Sequence, residues 1–99
     1  MPRLVVRVEA EADIERAARW YEAELPGLGA EFLESIQDTV AAILESPLMY
    51  PAVEGDVRRA IMRRFPFLVY FTLDDDVVCM LAVLHGRRDP NSWRIRHGS

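Results

Sequence analysis

The sequence predicts an α+β domain: two antiparallel helices packed on a four-stranded, mostly antiparallel sheet, in the order β-α-α-β-β-β. Three observations predict it. Between residues 9 and 45, apolar residues recur at helical spacing, interrupted once by Pro26-Gly27. From Val57 onward the apolar period shortens to that of strands. The 99 residues suit one domain over 1–99, and 51% apolar with 28% charged residues is a globular composition, not a disordered one.

The elements follow in order. Residues 3–8 read as a short strand, because Val5-Val6 favours extended backbone. Glu9, Glu11, Asp13 and Glu15 then place negative charge at the start of a helix, where the macrodipole favours it. Ile14, Ala17, Ala18, Tyr21 and Leu25 form its apolar stripe, and Pro26-Gly27 ends it. Trp20, beside Tyr21, falls partly off that stripe, and packing at the helix–helix seam is its simplest role. A second helix is predicted over Leu28 to Glu45, with Leu33, Ile36, Val40, Ile43 and Leu44 as its stripe and Ser46-Pro47 as its stop. The short connection makes the helices antiparallel neighbours.

Three strands complete the chain. Val57 to Arg63 is a moderate one. Phe67 to Leu73 is strong, with Phe67, Val69 and Phe71 on one face and Leu68, Tyr70 and Thr72 on the other. Phe65-Pro66 marks the bend between them, since proline cannot donate to a ladder. Asp74-Asp75-Asp76 is a turn, and Val77 to Leu84 is a strand of eight consecutive apolar residues. An open sheet face requires alternation, and this run does not alternate. Its second face is therefore covered, either by the C-terminal tail or by a partner.

Charge is informative once divided. Residues 1–54 carry four arginines and eleven acids; residues 55–99 carry eight arginines and five acids. A pI near 5.1 for the whole chain argues against a general nucleic-acid coat, but the second half can present a basic patch. The single cysteine, Cys79, excludes an internal disulfide and a cysteine zinc cluster. His85 and His97 have no acid placed with them in a ligand pattern, and there is no glycine-rich phosphate loop, so neither metal nor cofactor is expected. The apolar run at the N-terminus is too short for a signal peptide and no segment approaches a membrane span, so a cytoplasmic protein is expected.

Functional residue types concentrate in two places. One is the segment from His85 to Arg96, which begins where a buried strand ends. The other is Arg58, Arg59, Arg63 and Arg64. In a strand, Arg59 and Arg63 share one face while Arg58 and Arg64 share the other. Arginine forks bind phosphate or carboxylate, and histidine moves protons near neutral pH. For each residue a plain ion pair or a solvated strand edge is the competing role.

Read together, these pieces resemble the RelE/ParE toxin superfamily over nearly the whole chain. The resemblance is carried by Ala12-Asp13-Ile14, Ala17-Ala18-Arg19-Trp20-Tyr21, Pro26-Gly27-Leu28-Gly29 and Phe32. It continues in Ser46-Pro47, Tyr50-Pro51, Arg58-Arg59, Arg64 through Phe71, His85 through Pro90, and Trp93. It implies the fold predicted above and a type II toxin neutralised by a cognate antitoxin. The RelE-like branch cuts mRNA on the ribosome; the ParE-like branch poisons DNA gyrase. RNA cleavage needs a base, cations for the phosphorane and an acid. Arg58 and Arg87 fall where two such cations stand in the ribonuclease branch, and His85 is the remaining candidate. Ala60 replaces a second strand base, Phe67 takes the middle-strand arginine position, and Trp93 stands where many members carry tyrosine. Tryptophan cannot transfer a proton as tyrosine does.

Those departures favour the ParE-like branch: a toxin that inhibits gyrase by binding, without catalysis. The alternatives are a ribosome-dependent endoribonuclease using Arg58, Arg87 and His85, and a non-toxic antitoxin-binding module. The resemblance points to Arg59, Arg63, Arg64, Arg87, Arg88, Trp93 and Arg94 as a target surface. For the antitoxin it points to Trp20, Leu28 and Phe32 on the helices and Val78 and Met80 on the sheet.

Overall fold

A computed structural model describes residues 1–87 and 93–94. Strand β1 (Arg3–Val6) leads into helix α1 (Val8–Glu24), which turns back through helix α2 (Leu28–Glu45). A single 3-10 turn, Pro47–Met49, then leads to the remaining strands: β2 (Ala52–Glu54), β3 (Val57–Ile61), β4 (Phe67–Asp74) and β5 (Val77–His85). The sheet order is β1-β5-β4-β3-β2.

The two-helix layer and the β3-β4-β5 meander match the expectation, but the sheet has five strands instead of four. Strand β2 has only three residues, Ala52, Val53 and Glu54, too few for a period to stand out. Its hairpin closes through Gly55, whose φ of +56° is a left-handed turn conformation. The other difference is that β1 pairs parallel to β5, Arg3 with Val77 through Val6 with Met80. The helices carry the chain back across the sheet before β5 forms, and that crossover sets the direction. β3 also ends at Ile61, so Arg63 and Arg64 lie in the bend and not in the strand.

The helix-facing core contains Phe32, Ile36 and Ile43 from α2, with Val69, Phe71, Val78, Met80 and Val83 from the sheet. The α2 stripe runs through Phe32, one position before the predicted Leu33, which is 43% exposed. Phe32, Phe65 and Phe67 gather around Tyr21, with centroids 4.8–6.1 Å from its ring. Edge-to-face contacts dominate, as the ring quadrupoles favour.

The two helices approach closely at Gly29. A Cβ there would stand 2.7 Å from the Ala18 carbonyl oxygen and 2.9 Å from Glu22 Oε1. Glu22 uses the same proximity. Its carboxylate accepts the backbone N–H groups of Gly27 at 3.0 Å and Gly29 at 3.0 Å, supplying the cap that α2 otherwise lacks.

Strand β5 is buried on both faces, which explains its unbroken apolar run. It lies between β1 and β4. A bulge leaves Leu81 unmatched, since Tyr70 pairs with Ala82 and Phe71 with Met80. On the second face Val57, Tyr70, Leu81, Ala82 and Leu84 form a separate cluster closed by Trp93. Of the two covers open to the sequence, a tail residue supplies at least this one.

Candidate functional site

Strand parity separates the arginines of β3. Ala60 and Met62 belong to the helix-side core, so Arg58 shares their side and Arg59 faces the opposite one. Arg58 donates from its guanidinium to the Tyr50 carbonyl oxygen at 2.6 Å, tying β3 to the segment after α2. Arg59 lies opposite Tyr70, whose ring stacks on Trp93 at 5.3 Å and 25°. Arg94 covers the outer side of that indole at 5.4 Å and donates to Glu54 Oε2 at 2.8 Å. The second face thus carries a buried aromatic pair, with Arg94 over the indole and Arg59 across the ladder from Tyr70.

Two donors on this face have no acceptor among the described residues: Arg59 Nε and Trp93 Nε1. A buried donor without a partner costs roughly 1–3 kcal/mol, so the packing around Tyr70 sustains both against that cost. The sequence places Trp93 among the target-surface candidates, but it is 2% exposed. Its large apolar area and its stack on Tyr70 draw it inward.

The basic groups at the far end of the sheet are arranged differently. Arg63 is exposed. Arg64 pairs with Glu31 at 2.6 Å and lies over the Phe65 ring. Both line a groove of about 460 Å³ between α2 and β3, whose opposite wall carries Glu34 and Asp38. The His85 ring packs edge-on against Phe67 at 5.4 Å, and its Nδ1 accepts the backbone N–H of Arg87 at 3.1 Å. The side chain of Arg87 is exposed. Arg88 lies outside the described residues.

The structure does not bring Arg58, His85 and Arg87 together. Arg58 pairs with Phe71 and His85 with Phe67. Those β4 partners are four residues apart, about 13 Å along a strand, and they flank it on opposite sides. With Arg58 held by a backbone carbonyl, the three do not surround one phosphate.

The apolar candidates also divide. Phe32, Val78 and Met80 are completely enclosed by the helix–sheet core and serve packing, which corrects their expected role at a surface. Leu28 is half-buried beside them. Trp20 is 60% exposed, touching Tyr21 edge-on at 5.1 Å, so it is not the seam residue the sequence indicated.

Two functional carboxylates escaped the sequence reading. Glu22 caps α2. Asp13 is buried at the start of α1, accepting from the Val83 backbone N–H and from Arg16. A signal for Asp13 existed: with Ala10 and Ala17 it falls on one helical stripe, placing a charge in the middle of a buried face. Burial pushes the Tyr21 phenol above its usual range. No grouping of His, Cys, Asp and Glu among the described residues fits a metal, and no described helix is long and apolar enough to cross a membrane.

The fold and this site define a small α+β protein with exposed arginines, a buried aromatic pair on its second sheet face, and candidate catalytic groups that are dispersed. The chain belongs to the ParE toxin family of type II toxin–antitoxin systems (parDE), whose model matches residues 4–90. A search of curated proteins returns no match. Among solved structures it is similar to the chromosomal ParDE toxin–antitoxin system of P. aeruginosa, at 19% identity and a TM-score of 0.77, covering 86% of this chain and 96% of that one. It is also similar to the E. coli RelBE toxin–antitoxin complex, at 17% identity and a TM-score of 0.66, covering 89% and 100%. The isolated E. coli RelE toxin aligns at 16% identity and a TM-score of 0.66, covering 96% and 95%. At such identities the likeness shows the fold.

Proposed function

We propose that the chain is a ParE-like toxin of the cytoplasm that inhibits DNA gyrase by binding it, and that a cognate antitoxin neutralises it. The observation that carries this reading is the engagement of Arg58. Its guanidinium is held by the Tyr50 carbonyl at 2.6 Å, away from His85 and Arg87, so the cations an RNA-cleaving site requires do not converge. The exposed Arg63, Arg87 and Arg94 supply a binding surface instead. Arginine is enriched at protein interfaces and at their hot spots.

Purified protein should inhibit gyrase supercoiling and trap cleaved DNA. Cleavage of mRNA on translating ribosomes, with gyrase untouched, would overturn the reading in favour of the ribonuclease. Harmless overexpression without an antitoxin would reduce the chain to a binding module. Addition of the antitoxin should restore supercoiling and raise the melting temperature, because a ligand that binds only the folded state stabilises it by mass action.

A further inference from the structure

We infer that the apolar groove between the turn after α2 and the β4–β5 turn is a docking site for a partner protein, one that presents an apolar side chain among lysines or arginines. The groove has a volume of about 500 Å³. Pro47, Leu48 and Met49 of the 3-10 turn line it together with Pro2 and Leu73. Leu48 is 70% exposed and Met49 80%. No residue of that turn is buried.

The exposure does not come from a loose chain. The Ser46 N–H donates to the Ala42 carbonyl at 3.2 Å, and the Met49 N–H to the Ser46 carbonyl at 3.1 Å. Tyr50, next in sequence, packs edge-on against Phe71, and its carbonyl accepts from Arg58 at 2.6 Å. Across the groove, the Arg3 N–H donates to the Asp76 carbonyl at 2.8 Å, which holds Pro2 beside the β4–β5 turn. Leu48 and Met49 are therefore held outward before any partner arrives. Pre-organised side chains need little further ordering on binding, and apolar patches left exposed in this way mark interaction surfaces. The thioether of Met49 adapts to the shape of what it meets.

Charge selects the partner. Glu45, Asp75 and Asp76 line the groove, and no base does. All three are exposed, and none is in an ion pair with a described residue. Asp74 adds another exposed acid at the end of β4. Arg3, next to Pro2, offsets one of these four charges, and the rim stays net negative. Such a rim repels nucleic acid and anionic lipid. Isologous pairing of two copies would oppose acid to acid. The arginines of the β3–β4 bend supply no counterpart on a second copy, because Arg64 is paired with Glu31, and Glu34 and Asp38 share the groove of Arg63. A basic protein segment fits, with its apolar residue in the groove and its cations toward the rim. The site lies at the opposite end of β4 from Arg63 and Arg87, about 23 Å along the strand. It does not depend on what the protein inhibits.

The test uses the full chain and three synthetic peptides. One carries a single leucine with three lysines on either side. The second has serine for the leucine, and the third has glutamate for every lysine. In NMR titrations the leucine peptide should shift the methyls of Leu48 and Met49 and the amides of Asp75 and Asp76. The serine peptide should bind about tenfold more weakly, the loss of one buried aliphatic side chain, and the glutamate peptide should not bind. Leu48→Ser with Met49→Ser should bring the leucine peptide down to the level of the serine peptide, with little change in the urea midpoint. Asp75→Asn with Asp76→Asn should weaken both lysine peptides and flatten their salt dependence. Asparagine tolerates the left-handed φ of +55° at Asp75, so the turn is kept. Equal binding of the leucine and serine peptides would reduce the site to general attraction between a basic peptide and an acidic protein, and would overturn the proposal. So would shifts centred elsewhere, or no shift at Leu48 and Met49 with the leucine peptide in large excess. Shifts at both residues that grow with protein concentration in the absence of peptide would also overturn it, by making a second copy the occupant.

Discussion

The carboxylate of Asp13 accepts the backbone N–H of Val83 at 2.9 Å, joining α1 to the middle of β5 across 70 residues of sequence. β1 has ended at this level of the sheet, so the side chain completes a ladder position that has no strand beside it. Asp13 is 4% exposed, and water does not replace the bond if it is lost. Asp13→Ala should destabilise the protein by about 1–3 kcal/mol, the cost of a buried donor left unpaired. Asp13→Asn keeps a carbonyl acceptor and should cost less. Urea unfolding midpoints of the two variants, at unchanged m-value, check the order.

Glu22 and Gly29 form a second such device at the helix turn. Gly29→Ala would drive a Cβ to 2.7 Å from the Ala18 carbonyl, a backbone atom that moves only if the helices separate. A loss of about 1–3 kcal/mol is expected from this overpacking. Glu22→Ala removes the acceptor for Gly27 and Gly29 and should cost roughly 0.5–2 kcal/mol, the range for a lost N-cap. Thermal melts of the two variants measure both losses. The double variant should lose less than the sum, because both changes act on one contact.

Much of this architecture is legible in sequence, and each exception has a physical cause. Helix α2 is read with its observed bounds because its stripe and its stops, Pro26-Gly27 and Ser46-Pro47, are local. The meander is read because Phe67 to Leu73 alternates and Asp74 to Asp76 turns the chain. The parallel β1–β5 pair is not legible, since its register depends on residues more than 70 positions apart. The roles of Asp13 and Glu22 are hidden for another reason: each accepts a backbone N–H, which every residue but proline carries. Strand parity already separates Arg58 from Arg59 in the sequence, but it does not show that Arg58 reaches the Tyr50 carbonyl while Arg59 lies opposite Tyr70. Phe32, Val78 and Met80 pass for partner surface in the sequence because an apolar residue looks the same in a core and at an interface.

Tyr21 supplies a pH prediction. Its phenol is packed among Phe32, Phe65 and Phe67, and burial raises its pKa above the usual value. The folded state therefore holds this proton more tightly than the unfolded chain does. Stability from the group is complete below the unfolded pKa, about 10, and is lost as pH rises toward the higher folded value. Tyr21→Phe should remove that part of the alkaline loss while leaving neutral stability within about 1.5 kcal/mol, as for other volume-conserving swaps. Unfolding curves of both proteins between neutral and alkaline pH make the comparison.

The two tryptophans report on opposite sides of the molecule, and this permits a direct test of how the second sheet face is closed. Trp20 is 60% exposed and Trp93 is 2% exposed. A Trp20→Phe protein should therefore emit at short wavelength and resist quenching by iodide, while a Trp93→Phe protein should do neither. Trp93→Ala removes the residue that closes the cluster around Tyr70 and should cost about 3–5 kcal/mol, as large-to-small core changes do. Trp93→Phe should cost distinctly less, for a reason beyond retained area. The indole Nε1 is buried with no acceptor among the described residues, and phenylalanine carries no such donor. Relief of that unpaired group, roughly 1–3 kcal/mol, offsets part of the lost contact with Tyr70. If Trp93→Phe and Trp93→Ala were equally unstable, contact area and the unpaired N–H could not both be acting here. If neither variant lost stability, the tail would contribute nothing to closing this face.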